Sequence, residues 1–272
     1  MFERVIKKGD PERNCPHCGK KLKYQNFEEG GCLGTEYFFP LPCECVKQRE
    51  EEELKKMNEE YRKKLFRISG MKKKHLEMTF ETLIERDPKQ AESISICKEW
   101  AETFYTGEEI KGLVLMGGVG SGKTHLLCAI ANSLIKNYNN PDQHNLKYRI
   151  AHQNPMPMFY FISTVELFSE LQRQIHTTDQ KVMELGDKIV EWCKNARVLF
   201  LDDLGAERTS DYREEQLFLI IDHRINKRLP TIISTNKTKE ELSAAVGMRI
   251  FDRIKGNCEL VTNNANSHRK PL

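Results

Sequence analysis

From about residue 76 the chain alternates short apolar blocks with longer amphipathic ones. Five apolar runs stand out: GLVLMG at 112–117, MFYFIS at 158–163, RVLFLDD at 197–203, PTIISTN at 230–236 and CELVT at 258–262. Runs this short, with little polar alternation, predict strands buried on both faces, as in a parallel sheet. Helical spacing fills the intervals at 123–137, 165–175 with a second piece through Cys193, 214–228 and 239–254. Strand–helix alternation predicts an α/β, doubly wound fold: a five-stranded parallel sheet flanked by helices, with ligands at the carboxyl ends of its strands. The Asn-, Gln- and Pro-rich stretch 139–157 reads as a long surface loop.

Two different regions precede this pattern. A connecting segment assigned to 48–75 is led by a charged stretch from Val46 to about Phe66, reading KQREEEELKKMNEEYRKKLF, where acids sit one turn from Lys or Arg but no continuous apolar face forms. That predicts a solvent-exposed connecting helix, with a basic hinge from Ser69 through Lys72, Lys73 and Lys74. Residues 1–47 are rich in Cys, Gly and Pro and read as a small separate module, leaving 76–272 as the main domain.

Composition adds limits. A net charge of +3 is compatible with nucleic-acid binding without arguing for it. No apolar run reaches membrane-spanning length and the first residues lack a signal-peptide core, so a cytoplasmic location with no membrane partner is expected. In that reducing setting nine cysteines are thiols or metal ligands, not a disulfide framework. Cys97, Cys128, Cys193 and Cys258 lie scattered in apolar segments and read as inert core.

Gly117, Gly118, Val119, Gly120, Ser121, Gly122, Lys123 and Thr124 form G-x-x-x-x-G-K-T between a strand and a helix. The glycines let backbone N–H groups converge on phosphate oxygens, Lys123 supplies a cation, and the Thr124 hydroxyl can ligate magnesium. His125 reads as a helix-surface residue. The strand ending in Asp202 and Asp203 supplies the matching acids, Asp202 for magnesium and Asp203 for the attacking water. Asn236, closing the strand ISTN, would emerge at the same edge and hold the lytic water or the γ-phosphate.

LMGGVGSGKTHL, VLFLDDLG, the EEQLFLIIDHRINKRLPTIISTN block, MRIFDRI and NSHR together resemble the AAA+ ATPases. The resemblance is to the helicase loaders of the DnaC/DnaI type, with IstB transposition helpers as close relatives, and it covers roughly residues 78–269. It implies that Asp202 and Asp203 are the Walker B acids and Asn236 is sensor 1. It further implies that Arg253 is an arginine finger acting on a neighbouring subunit and Arg269 a sensor 2 arginine. Arg249 and Arg224 are alternative fingers. Asp203 stands where most of the family has Glu, so slow hydrolysis, stimulated by assembly or DNA, is expected. The chain ends soon after Arg269, so no C-terminal helical lid is expected.

Cys15-Pro16-His17-Cys18-Gly19 is a knuckle-like turn, and Cys43-Glu44-Cys45 offers a second thiolate pair. Four thiolates suit tetrahedral zinc, which a module this small needs as a staple. Cys32 and His17 are competing ligands. The resemblance implies ATP, Mg2+ and zinc as cofactors, and as partners a replicative hexameric helicase, single-stranded DNA and further copies of the chain, joined head-to-tail with ATP. Arg173, Lys181, Lys188 and Lys194 lie where loader relatives place DNA contacts. An IstB-like transposition helper on duplex DNA is the alternative, and a stand-alone P-loop NTPase or kinase the plainest reading.

Overall fold

A computed structural model describes residues 6–7, 14–27, 37–41, 43–84, 88–106, 110–138, 157–206 and 210–263. The chain divides into two compact units, Met1–Tyr61 and Arg62–Leu272. In the first, β1 (Ile6–Lys7), β2 (Tyr24–Phe27) and β3 (Tyr37–Pro40) form an antiparallel sheet in the order β1-β3-β2. Helix α1 (Glu44–Ile68) follows, largely exposed as its charge pattern predicts and beginning two residues earlier than the pattern alone suggested.

The second unit holds five parallel strands: β4 (Gly112–Met116), β5 (Phe159–Ser163), β6 (Val198–Asp202), β7 (Thr231–Thr235) and β8 (Cys258–Thr262). Their order is β5-β6-β7-β4-β8, so the chain reverses direction across the sheet beside β4. Each strand falls on one of the five apolar runs. Alternate residues feed opposite faces, as the strand period requires. Val114, Met116, Tyr160, Ile162, Leu199, Leu201 and Ile233 join one core with α4 (Thr164–Ile175), α5 (Gln180–Asn195), α6 (Asp211–Asn226), α7 (Lys239–Val246) and α8 (Met248–Asn257). The other face is covered by α3 (Lys123–Asn137), buried through Leu126, Leu127, Ile130 and Leu134, and by α2 (Pro88–Thr103) beside it.

Two expectations need correction, and one element was missed. The helix expected over 239–254 is two helices, because Gly247 adopts φ 85°, ψ 143°, a backbone state closed to side-chain-bearing residues. Helix α2 was not anticipated: its buried positions include Gln90 and Ser93, which interrupt the apolar stripe. The basic hinge is a packed strap. Ser69, Met71 and His75 are buried, and the Ser69 carbonyl accepts the N–H of Phe161 from β5 at 2.6 Å. Gly70, at φ 74°, lets this happen, since a Cβ there would sit 2.2 Å from the Phe161 carbonyl oxygen. The Asn-rich loop expected at 139–157 lies, up to residue 156, outside the described residues. Among the described residues no helix is long and apolar enough to cross a membrane.

Candidate functional site

The phosphate loop leaves β4 and enters α3, with Gly120 and Gly122 at φ 80° and 91°. Its carbonyls are held by named donors. The Lys123 ammonium donates to the carbonyls of Gly117 (2.9 Å) and Gly118 (2.7 Å) and to Ser121 Oγ (3.3 Å). The Ser121 carbonyl accepts from Asn263 Nδ2 at 2.8 Å and Gln90 Nε2 at 3.4 Å. Asn263 follows β8, is fully buried, and lies so close that a Cβ on Gly117 would sit 2.1 Å from its carbonyl oxygen. Pinning carbonyls outward is how such a loop keeps its N–H groups available to an anion.

At the end of β6 the Asp202 carboxylate is buried and accepts from the hydroxyls of Thr124 (3.1 Å to each oxygen) and Ser234. Burial raises its pKa above the usual carboxylate range, and the Ser234 hydrogen bond opposes that. Asp203 turns into φ 57°, its N–H donating to Ser234 Oγ at 2.9 Å and its carbonyl accepting from Thr164 at 2.9 Å. This turn sends Asp202 and Asp203 into different surroundings. Asp203, exposed Asn236, Lys123, Thr124 and the loop residues Val119, Gly120 and Gly122 line one cleft of about 550 Å³. Thr82, Leu83 and Ile84 form the rest of its lining, together with His125. A second cavity, of about 370 Å³, lies at the amino ends of the strands and contains none of these residues.

Sequence reasoning missed Ser234, Asn263, Gln90 and the 82–84 wall. Ser234 left a signal: a hydroxyl inside the apolar strand IIST must be paired if buried. Asn263 and Gln90 left none, because their bonds join residues far apart in the chain.

The arginines are dispersed. Arg253 donates its Nε to Asp222 at 2.8 Å, and its guanidinium and that of exposed Arg249 lie 4.7 and 4.5 Å from the ring centre of Phe218. Neither lines the cleft. Arg224 is no candidate finger: it is fully buried, donating to the carbonyls of Cys193, Ala196 and Pro230 and to Thr231. Arg269 lies outside the described residues. Arg173 pairs with Glu170 at 3.2 Å, and on α5 the cations Lys181, Lys188 and Lys194 are matched by as many carboxylates, Glu184, Asp187 and Glu191.

In the first unit the sulfurs of Cys15, Cys18, Cys43 and Cys45 lie within 4.8 Å of one another. The pairs Cys15–Cys45 and Cys18–Cys43 are each 3.5 Å apart. Gly19, at φ 70°, closes the knuckle by donating to the Cys15 carbonyl at 2.9 Å. The N–H groups of His17 and Cys18 aim at the Cys15 sulfur and lower its pKa to about 7. The cluster could hold a metal ion: tetrahedral zinc, with bonds of about 2.3 Å, needs sulfurs about 3.8 Å apart. His17 is outside it, its Nδ1 3.4 Å from Arg49, and Cys32 lies outside the described residues. Cys97, Cys128 and Cys193 are buried, and burial pushes each thiol up to about 12.

Known proteins resemble this chain in sequence and fold. Residues 156–271 match the model of the IstB-like ATP binding protein family. The replicative helicase loader DnaI of Bacillus subtilis is 27% identical over 243 residues, covering 86% of this chain and 67% of that one. The replicative helicase loader DnaC of Escherichia coli is 24% identical over 205 residues, 75% of this chain and 74% of that one. A crystal structure of DnaI superposes with a TM-score of 0.55 at 27% identity, covering 71% of this chain and 94% of that one. The chain therefore carries an IstB-like ATP-binding domain with the AAA+ fold and is a homologue of the replicative helicase loaders DnaI and DnaC.

Proposed function

We propose that this protein binds and hydrolyses ATP and uses that cycle to load a hexameric replicative helicase onto single-stranded DNA. What carries the reading is the extent of the likeness to DnaI. Its 86% coverage is more than the residues from Arg62 onward can supply, so the likeness reaches into the cysteine-bearing unit. The IstB-like match is confined to 156–271, and no observation favours a transposition helper over a loader.

In this reading the loop N–H groups and Lys123 hold the β- and γ-phosphates, Lys123 exchanging its carbonyl partners for phosphate oxygens. Thr124 and Asp202 would hold magnesium, which neutralises charge on the phosphates. Ser234 braces Asp202 on one side and the Asp203 backbone on the other. Asp203 orients the attacking water and accepts its proton, with Asn236 beside it. Arg253, which lies outside its own chain's cleft, would serve a neighbouring subunit in a head-to-tail assembly, with Arg249 as the alternative. Cys15, Cys18, Cys43 and Cys45 hold zinc, which fixes the first unit as the helicase-binding module.

The test is retention of the host's replicative helicase on the immobilised protein, intact or lacking residues 1–47, followed by ATP-dependent transfer of the helicase to single-stranded DNA. The intact chain should retain and transfer it, and the shortened chain should do neither. An intact chain that ignores the helicase would end the loader reading.

A further inference from the structure

The segment 78–84 carries no strand or helix, yet Thr82, Leu83 and Ile84 line the nucleotide cleft. Something must fix it, and its carbonyls show what does. Asn132 Nδ2 donates to the carbonyls of His75 (2.7 Å) and Met78 (2.9 Å). His125 Nε2 lies 2.8 Å from the Thr79 carbonyl and 3.3 Å from Thr82 Oγ1. A carbonyl only accepts, so Nε2 carries the proton. The Thr82 hydroxyl in turn donates to the Glu77 carbonyl at 2.6 Å. Positions 125 and 132 are two turns apart on α3 and share one face. The segment is thus strapped along the helix that begins in the phosphate loop.

The cleft mouth is apolar on both contributions: Ile84 is 64% exposed and Val119, from the phosphate loop, 60%. Exposed branched side chains lining an otherwise polar cleft suit the face of a flat heterocycle better than an ion. We propose that His125 is a positioning residue for base recognition, fixing the wall of Thr82, Leu83 and Ile84 to the phosphate-loop helix so that base and phosphate sites keep a set separation. This rests on the nucleotide reading of the cleft. The contacts of His125 Nε2 are with the wall, at the Thr79 carbonyl and the Thr82 hydroxyl, so its effect through that wall depends on the ligand having a base.

Equilibrium binding of ATP and of inorganic tripolyphosphate, both with magnesium, separates the possibilities. His125→Ala should weaken ATP about fivefold to tenfold, the scale of one lost hydrogen bond, and leave tripolyphosphate within about twofold. His125→Gln, whose amide nitrogen can reach the same carbonyl, should restore ATP binding. Thr82→Val should behave like His125→Ala, and it keeps the test open if that variant does not fold. Equal weakening of both ligands, unchanged ATP binding, or failure of Gln to rescue would each overturn the proposal. A parent protein that binds neither ligand would overturn the nucleotide reading itself.

Discussion

Asp202 and Asp203 are neighbours with opposite surroundings, and their variants should part accordingly. Asp202 is buried among hydroxyls in a place where burial disfavours its charge. Asp202→Asn should therefore leave the ligand-free fold at least as stable, the melting temperature holding or rising by about 2–4 °C, while magnesium-dependent ATP binding falls sharply. Asp203 sits in the left-handed backbone region, which Asn tolerates well, so Asp203→Asn keeps the turn. It should bind ATP as the parent does and hydrolyse it at least about a hundredfold more slowly, the usual scale of losing a general base. Parent-like hydrolysis by Asp203→Asn would remove Asp203 from catalysis. Calorimetric melts and single-turnover hydrolysis read both variants.

Among the elements, the break between α7 and α8 is the most vulnerable. Gly247 combines a glycine-only backbone state with a crowded site, where an added Cβ would lie 2.2 Å from Glu214 Oε1. Gly247→Ala should cost about 1–3 kcal/mol in denaturant melts. Because α8 carries Arg249 and Arg253, the same change should reduce hydrolysis at high protein concentration while leaving ATP binding by dilute protein intact. Unchanged stability would show that the two helices can run on as one. This break was hard to read, since one glycine inside a helical pattern is ordinarily tolerated. The strands were easy, because a strand buried on both faces leaves an apolar run with no other explanation. The phosphate loop and its acids were equally plain, being contiguous motifs. Helix α2 was obscured by Gln90, a buried polar residue whose bond to Ser121 lies 31 residues away. The supports of the site belong to that second kind. Asn263 and His125 gain meaning only from partners that folding brings to them.

At the scale of the whole molecule, the arginines of α8 predict dependence on neighbours. Arg253→Ala should bind ATP and hydrolyse it poorly, and Lys123→Ala should not bind it at all. Mixed together they should recover activity that rises with protein concentration, because Lys123→Ala still presents an intact Arg253 to the sound site beside it. If no mixture recovers, Arg253 works within its own chain, where it already pairs with Asp222. The strap over β5 bears on how such neighbours can meet. With the N–H of Phe161 already given to Ser69 and Gly70 seated on its carbonyl, the middle of that edge offers no template for a foreign strand. Copies of the chain are thereby steered from fusing sheet to sheet, a union too stable to undo readily. Contacts made by side chains instead let go readily, which suits the loading role proposed above.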